Sequence, residues 1–335
     1  MSFDIIDDGH IILEVSSDEL QELMQEALDQ RLIIYGNNLL CYSPTAYPYS
    51  VRNHTQSSSH NFVSLSVTGT SCSLNCEHCD GRLLRGMEPA TTPDSLFDRC
   101  REIKTQGGEG VLISGGSDSK GHVPLERFIE PIKRIKMELN LEVVVHTGLV
   151  SETTAQGLAE AQIDAAMLDV IGDERVSREV YHIEDGPKKM RDSLDILEAL
   201  GVPTVPHVLV GLDYGRLSGE IEALNLISQG NPAAVVIIAL NPLRKTSMES
   251  VAPPTPEDIG RIMTIARLGM KEVPILLGCA RPMGRHKVET DKFAVMSGLN
   301  GVALISQEGI DFAQERGLEP VFLDICCSLA YKFLS

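Results

Sequence analysis

Residues 63–87 have the sequence VSLSVTGTSCSLNCEHCDGRLLRGM, in which a strand-like run leads directly into three closely spaced cysteines. These are Cys72, Cys76 and Cys79, with the spacing CxxxCxxC. Three thiolates on one tight loop can bind three irons of a cubane [4Fe–4S] cluster and leave the fourth iron open. The alternative is a zinc knuckle with His78 or a distant residue as fourth ligand. It is disfavoured because no second Cys/His pair lies near in sequence.

From residue 62 onward, strand-like and helical patterns alternate. The strand-like runs are 62–68, 110–114, 142–147, 164–170, 203–210, 234–240, 273–279 and 301–305. The helical patterns are 93–106, 124–139, 152–162, 187–200, 217–229, 256–269, 289–298 and 307–316. Eight βα units imply a parallel sheet that can close into a barrel. We therefore predict an α/β fold, with a (β/α)8 TIM-type barrel over residues 62–317.

The segments on either side of this barrel have different patterns. Residues 1–61 form a predicted N-terminal helical extension, in which Ser17 can cap a helix over residues 18–31. Residues 318–335 form a C-terminal tail that contains Cys326 and Cys327. The eighth helix spans about 15 Å, and the eight residues 318–325 span at most about 26 Å when extended. The tail can therefore bring both thiols back to the catalytic end of a barrel.

A parallel barrel has its chemistry at the C-terminal ends of its strands. Unusual residues lie near these ends on seven of the eight predicted strands: Cys72, Gly115–Gly116, His146, Asp169, Gly211, Asn241 and Cys279. Seven such residues in strand order support the barrel and predict a site on this face.

Composition excludes several classes of protein. The 335 residues include 47 acidic and 29 basic side chains, a formal charge of −18, with 43% hydrophobic residues. This is a globular balance and argues against nucleic acid as a partner, because phosphate backbones attract Lys and Arg. The apolar runs are too short to span a membrane, and the acidic N-terminus does not resemble a signal peptide. We expect a cytoplasmic protein whose clustered cysteines bind metal.

The CxxxCxxC loop after the first barrel strand resembles that of the radical SAM superfamily. This resemblance implies a [4Fe–4S] cluster and S-adenosylmethionine as cofactors, which together produce a 5′-deoxyadenosyl radical. It further implies that His78, the residue before the third cysteine, lies beside the adenine. Gly115, Gly116 and Ser117 would receive the methionine amine, although the family usually has an acidic residue where Ser117 stands.

Within the superfamily the sequence is most similar to biotin synthase and its relatives. The likeness implies that Asp169, in Leu168-Asp169, holds the ribose and that Leu209 and Gly211, in HVLVGL, lie beside the adenine. His207 replaces the first glycine of the family's pattern. Predicted strands four to six contain no cysteine, whereas biotin synthase binds a second cluster there.

The remaining cysteines predict a second, auxiliary [4Fe–4S] cluster. Its predicted ligands are Cys279, Cys326 and Cys327, with Cys41 as a further thiolate and Ser328 as an oxygen ligand. The alternatives are buried structural thiols, both for Cys41 and for the pair on the apolar tail.

The segment GCARPMGR and the terminal Cys-Cys resemble the archaeal-type two-protein lipoyl synthase. That resemblance implies sulfur insertion into an octanoyl chain on a carrier protein or lipoyl domain. It also implies a homologous second subunit and an electron donor such as ferredoxin. Two alternatives stay open: a methylase, mutase or cofactor maturase with a single cluster, and a non-enzymatic iron–sulfur scaffold or electron carrier.

Overall fold

The computed structural model describes residues 3–45 and 48–334. In chain order the strands are β1 (Asn38–Tyr42), β2 (Ser50–Val51), β3 (His54–Thr55), β4 (Phe62–Ser66), β5 (Glu88–Pro89), β6 (Gly110–Ser114), β7 (Glu142–His146), β8 (Ala165–Met167), β9 (His207–Val210), β10 (Val235–Ala239), β11 (Ile275–Leu277), β12 (Gly301–Ala303) and β13 (Glu319–Leu323).

The helices alternate with these strands from β4 onward. They are α1 (Asp7–Glu14), α2 (Ser17–Tyr35), α3 (Pro93–Thr105), α4 (Ile129–Arg134), α5 (Glu152–Glu160), α6 (Glu174–Val176), α7 (Gly186–Ala199), α8 (Glu220–Ser228), α9 (Pro256–Gly269), α10 (Arg285–Met296) and α11 (Gln307–Glu315). None of the helices in the described part of the chain has an apolar stretch long enough to cross a bilayer.

Eight parallel strands form the predicted barrel. Strands β4, β6, β7 and β8 pair in that order, and β9, β10, β11 and β12 form a second parallel ladder. Parallel bridges from Ala166 to Thr204 and from Asp169 to His207 join the two ladders. The predicted α/β barrel is thereby confirmed, because each of the eight predicted strands contains an observed one.

The wall between β12 and β4 is completed by strands from outside the βα array. Strand β1 pairs in parallel with β12 on one side and with β13 on the other. Beyond β1, the Thr45 hydroxyl donates to the Phe62 carbonyl at 2.8 Å and accepts from the Phe62 amide at 3.1 Å. The N-terminal segment and the tail therefore both contribute to the barrel wall.

The N-terminal helix α2 begins one residue earlier than predicted and extends to Tyr35. Its cap is Ser16, because the Glu19 carboxylate accepts from the Ser16 amide at 2.9 Å and completes a capping box. The prediction that Ser17 caps this helix was wrong. The Ser17 hydroxyl instead donates to Glu257 of α9 at 3.1 Å and fastens α2 to the barrel.

After β13 the tail turns into the barrel interior. A short 3-10 helix, Cys327–Phe333, packs with the apolar side chains inside the barrel. The Tyr331 hydroxyl donates to the Asp164 carbonyl at 2.5 Å, and the Lys332 ammonium lies 2.6 Å from the Asp164 carboxylate. Because Asp164 immediately precedes β8, this end of the tail closes the N-terminal end of the barrel. Cys326 caps this helix and Cys327 is its first residue, and both pack in the barrel interior.

Candidate active site

The three cysteines after β4 lie on a tight loop. The Cys76 carbonyl accepts from the amides of Cys79, at 3.1 Å, and Asp80, at 2.8 Å. This turn brings the thiols of Cys76 and Cys79 and a ring nitrogen of His78 within 4.8 Å of one another. Cys76 is buried, and the half-buried Cys72 begins the same loop. Sulfur and imidazole donors at this spacing form a metal-binding group.

The thiols of this loop share a proton. A hydrogen bond from Cys76 and contact with His78 lower the pKa of Cys79 to about 4, although burial opposes the shift. The same hydrogen bond and burial raise the pKa of Cys76. One thiolate therefore exists at neutral pH, and thiolate is the form that binds iron.

The glycine pair after β6 allows the cysteine loop to approach closely. A Cβ atom on Gly116 would lie 2.0 Å from the Ser71 carbonyl oxygen and 2.6 Å from Cys72 Cα. The Gly116 amide donates to the Thr68 hydroxyl at 2.7 Å, and the Ser117 carbonyl accepts from the Ser73 amide at 2.8 Å. Only glycine fits at position 116, so the loops after β4 and β6 form one unit.

We expect Gly116→Ala to displace the cysteine loop and to reduce the unfolding free energy by about 1–3 kcal/mol, the cost of overpacking. The amount of iron that this variant binds after reconstitution should also fall. The matched control is Gly86→Ala in the same loop, where no heavy atom lies within 4 Å of the added methyl group. Thermal unfolding and iron analysis measure both effects. Equal iron content in the two variants would contradict the prediction.

Asp169 lies at the C-terminal end of β8 and faces several aromatic side chains. The Tyr181 hydroxyl donates to its carboxylate at 2.8 Å, and His146 Nε2 lies 3.7 Å from the other oxygen. Burial alone would raise the pKa of Asp169, but His146, His207 and Tyr181 together hold it below its usual range. The carboxylate is therefore charged and can accept hydrogen bonds from hydroxyl groups of a ligand.

Tyr181 was not predicted from the sequence, yet it connects Asp169 to the cysteine loop. Its ring stacks on His78, with centroids 4.9 Å apart and an angle of 17° between the planes. The next residue, His182, contacts the Leu74 carbonyl at 2.8 Å and the Glu77 carboxylate at 3.2 Å. The sequence signal that could have found this residue is the pair Tyr181-His182, which lies in the segment after the strand that ends near Asp169.

His78 has an unused polar atom. Its Nδ1 is buried and has no hydrogen-bond partner among the described residues. A buried polar atom without a partner costs free energy unless a ligand satisfies it. Together with the thiolate of Cys79 and the cradle at Gly116, this nitrogen fits a loop that holds a cluster with a polar ligand beside it.

The loop after β9 is held by a buried carboxylate. Gly211 has a positive φ of 79°, and a Cβ atom there would lie 2.6 Å from Pro254. Its amide donates to Glu220 at 2.8 Å, and the Ser218 amide donates to the other oxygen at 2.6 Å. Leu209, two residues earlier, is half-buried on the same face of β9 as His207. Glu220 was missed because its partners are backbone amides, which leave no pattern of side chains in the sequence.

Glu220 should make stability depend on pH. Burial raises its pKa to about 7 from 4.5, so between these values the folded chain binds more protons than the unfolded chain. Stability is then lost as pH rises through this window, by at most about 3 kcal/mol. Glu220→Gln should remove this loss. Urea unfolding of both proteins at several pH values measures the unfolding free energy. If it depends on pH in the same way in the parent and in Glu220→Gln, the prediction is contradicted.

Three further cysteines lie on the loop after β11 and at the start of the tail helix. Cys279 is exposed just beyond β11, Cys326 is half-buried and Cys327 is buried. A hydrogen bond from Cys327 lowers the pKa of Cys326 to about 7. His146, which lies 3.7 Å from Asp169, also lowers the pKa of Cys326.

A buried ion pair holds the loop that contains Cys279. Arg281 donates to the Asp291 carboxylate of α10 at 2.7 Å and to the carbonyls of Gly278 and Ala303 at 2.6 and 2.7 Å. Arg281 and Asp291 are both almost fully buried. These bonds fasten the loop after β11 to β12 and so set the position of Cys279.

Cys41 lies apart from this group. It is buried on the face of β1 shared with Leu39, whereas Leu40 and Tyr42 face the barrel interior. Its thiol donates to the Leu39 carbonyl at 3.7 Å, and burial raises its pKa to about 12. The geometry therefore favours the structural interpretation of Cys41. Ser328, by contrast, accepts from Cys326 at 3.5 Å.

Comparison with known proteins gives a likeness for the segment that contains the first group of thiols. Residues 66–215 match the model of the Radical SAM superfamily. The matched segment includes the three cysteines, the glycine pair, Asp169 and Gly211. The donors described above fit the [4Fe–4S] cluster and S-adenosylmethionine that this likeness implies.

The curated relatives of this chain include biotin synthases at low identity. The enzyme of Prochlorococcus marinus NATL1A is 24% identical over 90% of this chain and 85% of its own length. That of strain NATL2A is 24% identical over 71% and 70%, and that of Zymomonas mobilis 23% over 87% and 89%. The chain is thus similar to biotin synthases over most of its length.

Solved structures share the fold of this chain. Methylornithine synthase (PylB) superposes with a TM-score of 0.69 at 15% identity and covers 100% of this chain and 97% of its own. The [FeFe]-hydrogenase maturase HydG from Carboxydothermus hydrogenoformans gives 0.67 at 14%, with coverage of 98% and 78%. At these identities the likeness concerns the fold alone.

Proposed function

We propose that this chain inserts sulfur into unactivated C–H bonds, as one subunit of a two-protein lipoyl synthase acting on a protein-bound octanoyl chain. The observation that carries the proposal is the second group of cysteines, Cys279 on the loop after β11 and Cys326 and Cys327 in the tail, of which Cys326 and Cys327 pack in the barrel interior. His146 lies 3.7 Å from Asp169 and also lowers the pKa of Cys326. In this proposal a hydrogen-abstraction site and a sulfur source lie close together.

The residues of the radical SAM domain bind and orient the cofactors. S-adenosylmethionine on a [4Fe–4S] cluster supplies a 5′-deoxyadenosyl radical strong enough to remove hydrogen from an unactivated carbon. Cys72, Cys76 and Cys79 hold the cluster, while the backbone at Gly115–Ser117 receives the methionine end. Asp169 accepts hydrogen bonds from the ribose. Tyr181 keeps that carboxylate in position and supports the ring of His78.

The barrel interior suits an alkyl substrate. Half-buried apolar side chains, among them Leu112 and Ile238, lie beside the apolar cluster that also contains Cys326 and Cys327. An octanoyl chain placed against them is shielded from water, so a carbon radical reacts with sulfur rather than with solvent. A second cluster on Cys279, Cys326 and Cys327 would supply that sulfur.

The rim of the barrel suits a protein that delivers the acyl chain. Three large apolar side chains, Leu83, Tyr214 and Met283, are exposed on the loops after β4, β9 and β11. Exposed apolar groups at the mouth of a site mark a binding surface for a partner. The proposed partners are an octanoylated carrier protein or lipoyl domain, a homologous second subunit, and an electron donor such as ferredoxin.

The stoichiometry of the reaction requires two radicals for each product. Each C–S bond uses one electron and one S-adenosylmethionine, and leaves methionine and 5′-deoxyadenosine. Each of the two subunits can form one of the two C–S bonds on the octanoyl chain. About two S-adenosylmethionine molecules should therefore be consumed for each lipoyl group, with both sulfurs drawn from auxiliary clusters.

The test is mass spectrometry of an octanoyl-lysine peptide. The peptide is incubated anaerobically with S-adenosylmethionine, a reductant, this protein reconstituted with iron and sulfide, and a homologous partner. A mass gain corresponding to two sulfurs supports the proposal. If 5′-deoxyadenosine forms but no sulfur is added with any active partner, the chain catalyses another radical reaction. If no 5′-deoxyadenosine forms, the scaffold or electron-carrier alternative is favoured.

A further inference from the structure

Tyr42 presents a buried hydroxyl group that no part of the proposed chemistry uses. The side chain is fully buried at the end of β1, and its hydroxyl has no hydrogen-bond partner among the described residues. A buried tyrosine hydroxyl normally has one, because the loss of water must be compensated. Its position therefore indicates that a bound group, which is not part of the chain, forms a hydrogen bond with this hydroxyl.

The fold holds this phenol in the barrel interior. Tyr42 is in register with Ala303 on β12 and with Leu323 on β13, so strands flank it on both sides. Its ring lies over Gly301, where a Cβ atom would come within 2.5 Å of the ring. Strand alternation places Tyr42 on the interior face with Leu40, and away from Cys41.

The thiol pair of the tail lies in the same part of the barrel interior as the phenol. Tyr42 and Cys327 belong to the same buried cluster, against which Cys326 also packs. Leu323, the residue in register with Tyr42 on β13, stands three residues before Cys326 in the sequence. The neighbouring hydroxyl of Ser328 already donates to the Met167 sulfur at 2.5 Å. The phenol is thus an uncommitted donor beside these thiols.

We propose that the Tyr42 hydroxyl donates a hydrogen bond to a sulfur of an iron–sulfur group bound at Cys326 and Cys327. This inference rests on the proposed second cluster and assigns Tyr42 as a positioning residue for it. Hydrogen bonds to the sulfurs of such a group stabilise its reduced form and slow its loss, because they compensate negative charge on sulfur.

The experiment isolates the second cluster by replacing Cys72, Cys76 and Cys79 with alanine, and then adds Tyr42→Phe. Both proteins are reconstituted with iron and sulfide. With Tyr42→Phe we expect iron to be lost to a chelator about 10-fold faster or more, and the reduction potential to become more negative. The apoprotein should unfold at the same or a higher temperature, since the unpartnered hydroxyl is gone.

The matched control is Tyr35→Phe in the same background. Tyr35 ends α2 beside Arg267 and lies outside the barrel, so this change should leave the rate of iron loss unaltered. Equal rates of loss and equal potentials with and without Tyr42→Phe would overturn the inference while leaving the second cluster intact. If the parent triple variant binds almost no iron, the proposed second cluster is itself wrong, and the inference falls with it.

Discussion

Replacing Cys72, Cys76 and Cys79 by alanine is expected to reduce formation of 5′-deoxyadenosine to background while the barrel remains folded. Three thiolates must hold the cubane, and no other cysteine lies on this loop. The fold should persist because alanine removes only one sulfur atom at each site, and two of the three side chains are only half-buried at the edge of the core. Reductive cleavage of S-adenosylmethionine, followed by chromatography of the products, measures the effect.

The matched control for this triple replacement is Cys100→Ala. Cys100 is fully buried in α3. It belongs to the outer core of the barrel and not to the cysteine loop. Its replacement should cost on the order of 1 kcal/mol of stability and leave cleavage unaltered. Persistent cleavage by the triple variant would exclude the cysteine loop as the cluster site.

Replacing Cys326 and Cys327 together by alanine should leave 5′-deoxyadenosine formation intact but stop sulfur transfer. The two thiols lie in the barrel interior, in a different part of the chain from the cysteine loop and Asp169. The double replacement removes two of the three proposed ligands, and a cubane cluster is not retained by the one that is left. Iron content should fall to about half, as it should in the complementary Cys72, Cys76 and Cys79 variant.

Cys41→Ala provides the control for the tail variant. Because Cys41 lies on the outer face of β1, its replacement should leave both iron content and sulfur transfer near the parent values. If Cys41→Ala loses half of the iron, Cys41 is a cluster ligand after all. Sulfur transfer by the Cys326 and Cys327 double variant would show that the sulfur comes from elsewhere.

Much of the barrel was predictable because its signals are local. Each βα unit has a short apolar run followed by an amphipathic helix, and such patterns depend on neighbouring residues only. The observed strands from Phe62–Ser66 to Gly301–Ala303 lie within the predicted runs. The CxxxCxxC spacing is equally local. It identified the cysteine loop, and the order of strands placed that loop at the C-terminal end of the barrel.

Residues that act across the barrel could not be found in this way. Tyr181 contacts His78 across the loops after β8 and β4, and this contact depends on how loops after different strands meet. Glu220 lies within the segment after β9, but its bond to the Gly211 amide depends on how that segment folds back on itself. Tyr42 is an ordinary apolar strand residue in the sequence. Only the burial of its hydroxyl beside the tail makes it a candidate positioning residue.

By itself the sequence determined the α/β barrel, the cysteine loop and the strand ends at which the candidate site residues lie, because hydrophobic periodicity and tight spacing are properties of adjacent residues. Tertiary structure alone decided that β1 and β13 complete the wall and that Cys41 faces the helices. Those outcomes depend on pairing between segments more than 250 positions apart in the sequence, where strand register selects the face of each side chain.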